Sequence, residues 1–337
     1  MRNRFYTQPM LLLIFVSWAA GIVTLGWLIY HSQRDSCRTK ADYNLTAIAD
    51  LKVSQLAMWR KERLEDAAVF YKNRPFSDLV RRCSERPQDL PLQEELRTWL
   101  DHFQASQHYD RVALFDAAGK KWMGFSKMKE PLSSVTSQTV SEALRSGQLT
   151  FTDFYRSERT KTVGLRLFVP ILDEQGNGRP LGILMLRIDP SAYLYPLIQS
   201  WPTPSQTAET LLIRREGNEA VCPNELKAQK NTALDRHVPL DNTEFSVVKA
   251  ALGQEGIVEG VDNEGVPVLA AVRAVPSSPW FLVAQMNVAE VYAPMREMVW
   301  LTVFFVCALL FGVAGAMVVV YKAFVFVTAQ ILDPHYQ

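Results

Sequence analysis

The sequence predicts an α+β protein that is held between two transmembrane helices. Three observations support this fold class. Two long apolar runs lie near the ends of the 337-residue chain, a long helical pattern follows the first run, and a strand-rich pattern occurs twice in the segment between the runs. Apolar residues at helical spacing indicate a helix, and apolar or β-branched runs bounded by turn residues indicate strands.

The two apolar runs are long enough to cross a membrane. Residues 5–33 and 298–321 carry no formal charge. About 20 apolar residues, rising about 1.5 Å each, span the roughly 30 Å hydrocarbon core of a bilayer. We therefore predict membrane helices at residues 10–30 and 298–321, with residues 1–9 and 322–337 in the cytoplasm. A cleaved signal peptide is the alternative for the first run, but no small-residue cleavage site follows it.

The charges of the chain do not decide its orientation in the membrane. Arg2 and Arg4 precede the first apolar run, whereas Arg34, Arg38 and Lys40 follow it. The positive-inside rule therefore favours neither direction. The formal net charge is +1 and the charges are well mixed, so the sequence predicts no nucleic-acid partner.

A long helix is expected directly after the first membrane run. Residues 32–73 show apolar side chains at intervals of three to four, and no proline interrupts them before Pro75. We expect this helix to continue the membrane helix outward as a stalk. A second helix is expected near residues 92–107, so residues 31–108 form the stalk and a helical connection.

Four patterns occur twice, in the same order, in the rest of the central segment. They are a strand that ends in a turn, a helix end with a glycine turn and a strand, an apolar strand, and a final strand. The paired segments are residues 112–119 and 210–217, 142–154 and 249–261, 163–172 and 266–275, and 181–193 and 279–292.

The repeat predicts two α+β domains, at residues 109–200 and 207–297. Each is expected to be a mostly antiparallel sheet with helices on one side. The linker is expected near residues 200–206, where prolines end the preceding helix.

Arg166 is the most conspicuous candidate for ligand binding. It lies in the apolar strand pattern of residues 163–172, where Gly164 and Phe168 share its face. A buried guanidinium needs a partner, so one interpretation is that Arg166 anchors the carboxylate or another anionic group of a ligand. The alternatives are a structural ion pair with Asp153 or Asp189, or exposure of Arg166 on an open face of the sheet.

Four further residues are candidates for the wall of the same pocket. Asp153 and Tyr155 are expected on one face of the preceding strand, with Arg156 beside them and Trp122 on the hairpin strand of residues 120–125. Aromatic walls with few polar groups are typical of ligand sites, and packing in the core is the alternative for Trp122 and Tyr155.

Asp189 is expected first to cap a helix. It precedes Pro190, and proline favours the first position of a helix. A cap at the edge of a pocket can also contact a ligand, so Asp189 completes the set of candidate binding residues.

The sequence shows no pattern of catalytic or metal-binding residues. The five histidines and four cysteines have no ligand spacing, and no phosphate-binding loop or nucleophile elbow is present. We therefore predict neither enzyme activity, nor a metal, nor a cofactor in this chain.

The order of these elements resembles the double Cache sensor domains of bacterial receptors, which are chiefly sensor histidine kinases and diguanylate cyclases. The local resemblance is strongest at residues 209–221 and 265–294 and in the stalk at residues 51–67. It implies two tandem PAS-like domains outside the inner membrane, at residues 31–297, in a parallel homodimer. It also implies a small-molecule pocket in the membrane-distal domain, at residues 109–200.

The sequence departs from this family in two respects. It lacks the Y-x-x-x-R-x-W-Y type motif of the amino-acid-binding subclass. No output domain follows the second membrane run, so we expect either a fragment or output through a cytoplasmic partner. A membrane-tethered binding protein without its own output is the alternative function.

Overall fold

The computed structural model describes two compact units, which are Met1–Leu45 with Met286–Gln337, and Thr46–Gln285. The first unit contains the apolar helices and the second contains both sheets. The described residues are 4–106, 109–124, 134–157, 160–173, 178–225 and 232–331.

Helix α1 runs without interruption from Arg4 to Ala68, so the predicted continuous helix is confirmed, although it ends five residues before the predicted residue 73. The short helix α7 (Val288–Val291) precedes α8 (Ala293–Ile331). Within α1 and α8, the segments Leu13–Ala68 and Ala293–Val327 contain stretches that are long and apolar enough to cross a membrane. Both predicted membrane runs are therefore helical.

Two helices follow the stalk, of which the sequence predicted one. Helix α3 (Leu90–Ser106) confirms the prediction, whereas α2 (Arg74–Glu85) was not expected. Pro75 lies in the first turn of α2, where its missing N–H removes no helical hydrogen bond. The Asn73 side chain caps this helix by accepting a hydrogen bond from the Phe76 N–H at 3.0 Å. Pro75 therefore begins a helix here.

The first sheet has five antiparallel strands in the order β2-β1-β5-β4-β3. Helix α4 lies between β2 and β3 in the chain, and α5 follows β5. The elements are β1 (Arg111–Asp116), β2 (Lys121–Gly124), α4 (Ser134–Ser146), β3 (Thr150–Arg156), β4 (Val163–Asp173), β5 (Arg179–Ile188) and α5 (Leu194–Gln199).

Helices cover both faces of the first sheet, so the expectation of helices on one side is wrong for this domain. On one face, Val140 of α4 packs with Phe115 and Phe168. Leu165 and Leu167 point to the opposite face of the sheet. They are fully buried, because α2 and α3 lie against that face. The helical connection after the stalk supplies this second layer.

The second sheet repeats the pattern with six strands in the order β8-β7-β6-β11-β10-β9. Helix α6 covers one face through Val247 and Val248, and this arrangement confirms the internal repeat. The elements are β6 (Glu209–Glu216), β7 (Glu219–Val221), β8 (His237–Pro239), α6 (Ser246–Ala251), β9 (Gly256–Val261), β10 (Pro267–Ala274) and β11 (Trp280–Asn287).

Within the second unit, α1 contacts both sheets and the connection between them. Asp50 forms an ion pair with Arg273 of β10 at 2.7 Å. The buried ammonium of Lys52 donates to Ser200 Oγ at 2.7 Å, at the start of the segment that joins the sheets. It also donates to the carbonyl of Leu197, just before that segment. The outer half of α1 therefore holds the two domains and their linker together.

Candidate functional site

Three arginines form a row across one face of the first sheet. Arg187 of β5 is paired with Arg111 of β1 on one side and with Arg166 of β4 on the other. Residues that pair directly across antiparallel strands point to the same face. This is the face that α4 covers, since Phe168 and Met185 lie two residues from Arg166 and Arg187 and pack against α4.

The guanidinium of Arg187 is fully supplied with partners. It forms an ion pair with Asp110 and donates hydrogen bonds to the Tyr155 hydroxyl at 3.0 Å and to Thr162 Oγ1 at 3.0 Å. Burial acts to lower the pKa of Arg187, but the contacts with Tyr155 and Asp110 outweigh it and raise that pKa. Arg187 is therefore a structural arginine.

Gly164 provides the space that Arg187 occupies. A Cβ atom at this position would lie 2.8 Å from Arg187 Nε and 2.9 Å from its Nη2, closer than real Cβ contacts. Gly164, two residues before Arg166 on β4, is therefore required for the packing of Arg187.

The guanidinium of Arg166 lies beside Arg187 but has few partners. It donates to Thr136 Oγ1 at 2.6 Å, and its Cζ lies 3.5 Å from the centre of the Tyr155 ring. Its Nε–H is buried and has no hydrogen-bond acceptor among the described residues. Within the part of the chain that the structure describes, no carboxylate forms an ion pair with Arg166, so neither Asp153 nor Asp189 is its partner.

The electrostatic surroundings of Arg166 are unfavourable to its charge. Burial lowers the pKa of Arg166, and the positive charges of Arg187 and Arg111 act in the same direction. A carboxylate placed here would accept bidentate hydrogen bonds and would offset this cost. The site therefore suits a small anionic group.

The structure brings Tyr155 and Arg166 together, as predicted, but places Trp122 apart from them. Trp122 is half-buried on the edge strand β2, and two strands lie between β2 and β4. Three steps of about 4.8 Å across a sheet separate these positions by roughly 14 Å. This distance argues against direct contact of Trp122 with a small ligand at Arg166.

Asp153 does not share a face with Tyr155, so that prediction is wrong. Thr152 pairs with Arg166 and Tyr155 pairs with Gly164, so three steps along β3 match two steps along β4. This β-bulge interrupts the alternation of side chains on which the prediction relied. Asp153 contacts the second sheet instead, through an ion pair with Arg214 at 3.0 Å.

Arg156 also reaches the second domain. Its guanidinium forms an ion pair with Asp235 at 2.9 Å and donates to the Ala233 carbonyl and, at 2.9 Å, to the Lys161 carbonyl. Arg156 therefore joins the two domains, and its described contacts do not include Arg166.

Asp189 caps a turn instead of the helix that was expected to start at Pro190. Its Oδ1 accepts hydrogen bonds from the Ser191 N–H at 2.9 Å and from the Ser191 hydroxyl at 2.6 Å. Helix α5 begins only at Leu194, because residues 190–193 form a turn. Asp189 follows Arg187 by two residues at the end of β5, close to the row of arginines.

Sequence reasoning missed most of the residues that surround Arg166. Arg187 carried the same signal as Arg166, an arginine within an apolar strand, and deserved the same prediction. The other residues lie outside the strands. Asp110 and Thr162 lie in loops, and Thr136 lies at the start of α4, so only the folded chain brings them to this site.

The described residues include no cluster of three or more histidine, cysteine, aspartate or glutamate side chains that could hold a metal ion. The groups around Arg166 and Arg187 are guanidinium, phenol, hydroxyl and carboxylate groups. This set can bind and orient an anion through hydrogen bonds.

Solved ligand-binding domains of chemoreceptors have the same fold. The domain of the amino-acid chemoreceptor PctB of Pseudomonas aeruginosa, in complex with L-Arg, has a TM-score of 0.52 and 14% identity, and the match covers 76% of this chain and 98% of that one. The domain of PctC from the same organism, in complex with GABA, has a TM-score of 0.51 and 15% identity. That match covers 73% of this chain and 100% of the PctC domain.

The ligand-binding domain of the chemoreceptor Tlp3 of Campylobacter jejuni, in complex with L-norvaline, has a TM-score of 0.52 and 15% identity, with 76% and 94% covered. No protein-family model and no curated protein sequence matches the chain significantly. At these identities the likeness concerns the fold, and it confirms the predicted arrangement of a long helix with two tandem Cache-type sheets.

The different surroundings of the two arginines predict different effects on stability. Arg187→Met leaves the Asp110 carboxylate without its main partner, and we expect the free energy of unfolding to fall by about 3 kcal/mol. Arg166→Met removes a charge that has no acidic partner in the described structure, so we expect a change within about 1 kcal/mol of wild type or a gain. Unfolding midpoints of the detergent-solubilised chain measure both. Equal losses in the two variants would contradict the distinction.

Proposed function

We propose that this chain is the sensory region of a transmembrane receptor and that its first Cache-type domain binds a small carboxylate-bearing molecule at Arg166. The observation that carries the proposal is the guanidinium of Arg166, which lies on a sheet face between Tyr155 and Thr136 and has no acidic partner among the described residues. A binding protein can retain an uncompensated charge because its ligand supplies the opposite one.

The solved domains of the same fold support this class of ligand. They are described in complex with L-Arg, GABA and L-norvaline, and each of these molecules carries one carboxylate. Asp189, two residues after Arg187, offers negative charge for an ammonium group. Amino acids are therefore the first compounds to test, although the motif of the amino-acid-binding subclass is absent from the sequence.

A place in the membrane follows from the two apolar helices. Two segments are long and apolar enough to span a bilayer, and they precede and follow the two Cache-type sheets in the chain. We propose a two-pass protein of the inner membrane with residues 31–297 on the outer side. The resemblance predicts a histidine kinase or diguanylate cyclase as output, whereas the solved domains belong to chemoreceptors, so the proposal is a transmembrane receptor of any of these types.

A homodimer fits the outer face of the stalk helix. Leu51 and Met58 lie seven residues apart on α1 and are 47% and 63% exposed. Apolar side chains at this spacing form the seam between paired helices. Two copies inserted in one membrane in the same direction would bring these faces together in parallel.

Ligand binding depends on Arg166 under this proposal. In titrations of the full chain in nanodiscs with L-Arg, GABA, L-norvaline and succinate, Arg166→Met should weaken binding about 100-fold, because a buried charged pair is worth about 3 kcal/mol to the complex. Arg156→Met removes an arginine that contacts the second domain and should change the dissociation constant less than about threefold. Binding that survives Arg166→Met, or a folded chain that binds no carboxylate, contradicts the proposal.

The orientation is testable with single cysteines in a background without Cys37, Cys83, Cys222 and Cys307. Glu142→Cys on the exposed face of α4 should react with a membrane-impermeant maleimide in cells with a permeabilised outer membrane. Lys322→Cys should react only after the inner membrane is opened. The reverse pattern would place the sheets in the cytoplasm.

The dimer is testable in the same background. Met58→Cys should form a disulfide-linked dimer under mild oxidation in membranes, because seam positions of paired helices bring Cα atoms within about 7 Å. Glu142→Cys lies on α4, away from the stalk in the chain, and should stay monomeric. Equal crosslinking at both positions would indicate random collision and would count against the stalk interface.

A further inference from the structure

The two sheets meet at the carboxylate of Asp153. Its Oδ1 accepts a hydrogen bond from Trp280 Nε1 at 2.8 Å, and its Oδ2 forms an ion pair with Arg214 at 3.0 Å. Trp280 belongs to β11 and is 1% exposed, and Arg214 belongs to β6. A single side chain of the first sheet is thus bonded to two strands of the second.

The stalk helix packs on the same place. The ring of Phe151, also on β3, lies edge-on to Trp59 of α1 and to Trp280, with ring centres 6.5 Å apart in both cases. The guanidinium of Arg60 lies 4.9 Å from the centre of the Phe151 ring. Stalk, first sheet and second sheet therefore join around residues 151–154, which we call the β3 junction.

The bulge in β3 connects the β3 junction to the arginine site. Tyr155 lies against Arg166 on one side of the strand, and Asp153, two residues earlier, contacts Trp280 and Arg214 of the second sheet. Between them, the Phe154 carbonyl accepts a hydrogen bond from Arg214 at 2.9 Å. A change in the position of Tyr155 must therefore displace a backbone segment that is bonded directly to the second sheet.

We infer that Asp153 is the positioning residue that couples the Arg166 site to the second domain. A carboxylate that binds Arg166 changes the contact between this guanidinium and the Tyr155 ring. The bulge transmits that change to Asp153, and the hydrogen bond to Trp280 carries it into β11, the strand that leads to α7 and α8 in the chain. This inference rests on the proposed ligand site, but its test does not require a ligand.

The indole of Trp280 is the natural reporter for this coupling. We label the full chain in detergent micelles with 5-fluorotryptophan and assign the ¹⁹F resonances of Trp280 and Trp122 by replacing each with phenylalanine. Arg166→Met then alters the site without replacing any residue of β3. The Trp280 resonance should shift by more than its line width, whereas the Trp122 resonance on the distant edge strand β2 should not move.

The contribution of Asp153 is isolated by two matched variants. Asp153→Ala should abolish the response of Trp280 to Arg166→Met. Asp235→Ala removes a different ion pair between the domains, that of Arg156, and should leave the response intact. An unchanged Trp280 resonance in Arg166→Met overturns the inference, and so does a response that persists in Asp153→Ala.

The Trp122 resonance distinguishes a general loss of folding from coupling between the domains. If Arg166→Met moves the Trp122 resonance as well, the experiment is repeated with Arg166→Lys. Lysine keeps the positive charge but loses the planar contact of the guanidinium with the Tyr155 ring. A Trp280 shift in that variant, absent in the Asp153→Ala background, supports the inference. No shift overturns it. Neither result depends on whether a carboxylate binds, so failure of the ligand proposal is recognised separately.

Discussion

Arg166 and Arg187 face each other across β4 and β5, and like charges at directly opposed positions of an antiparallel pair repel. The surrounding structure compensates only one of them. Asp110 neutralises Arg187, and Tyr155 serves both, with its hydroxyl bonded to Arg187 and its ring against Arg166. Arg166 remains without an acidic partner in the described part of the chain. A bound anion would complete the set, and the proposed function follows from this imbalance.

In the second sheet, the polar side chains at the positions that match Arg111 and Arg187 bond to one another. The internal repeat aligns Arg111 with Glu209 and Arg187 with Gln285. In the second sheet, Gln285 donates to Glu209 at 2.8 Å and accepts from the Ser246 hydroxyl of α6 at 2.6 Å. These partners need no external group. This difference supports the proposal that the first domain binds the ligand.

The sequence predicted the architecture because each element has a local signal, but the site depends on contacts between distant parts of the chain. Arg166 was found because a charge in an apolar strand is conspicuous, and Arg187 had the same signal. The bulge in β3 has no such signal, so strict alternation placed Asp153 beside Tyr155 wrongly. Pro75 was read as a helix end, although the same residue type favours a helix start.

The most direct test is the ¹H chemical shift of the Arg166 Nε–H, measured by NMR on the full chain with ¹⁵N-labelled arginine and assigned with Arg166→Lys. A charge-assisted hydrogen bond to a carboxylate moves such a proton downfield. We expect an upfield resonance without ligand, since this N–H has no acceptor among the described residues, and a downfield shift when a carboxylate binds. A resonance as far downfield as that of the Arg187 Nε–H in the ligand-free chain would contradict the proposed site, because that result would show that the protein itself supplies the partner of Arg166.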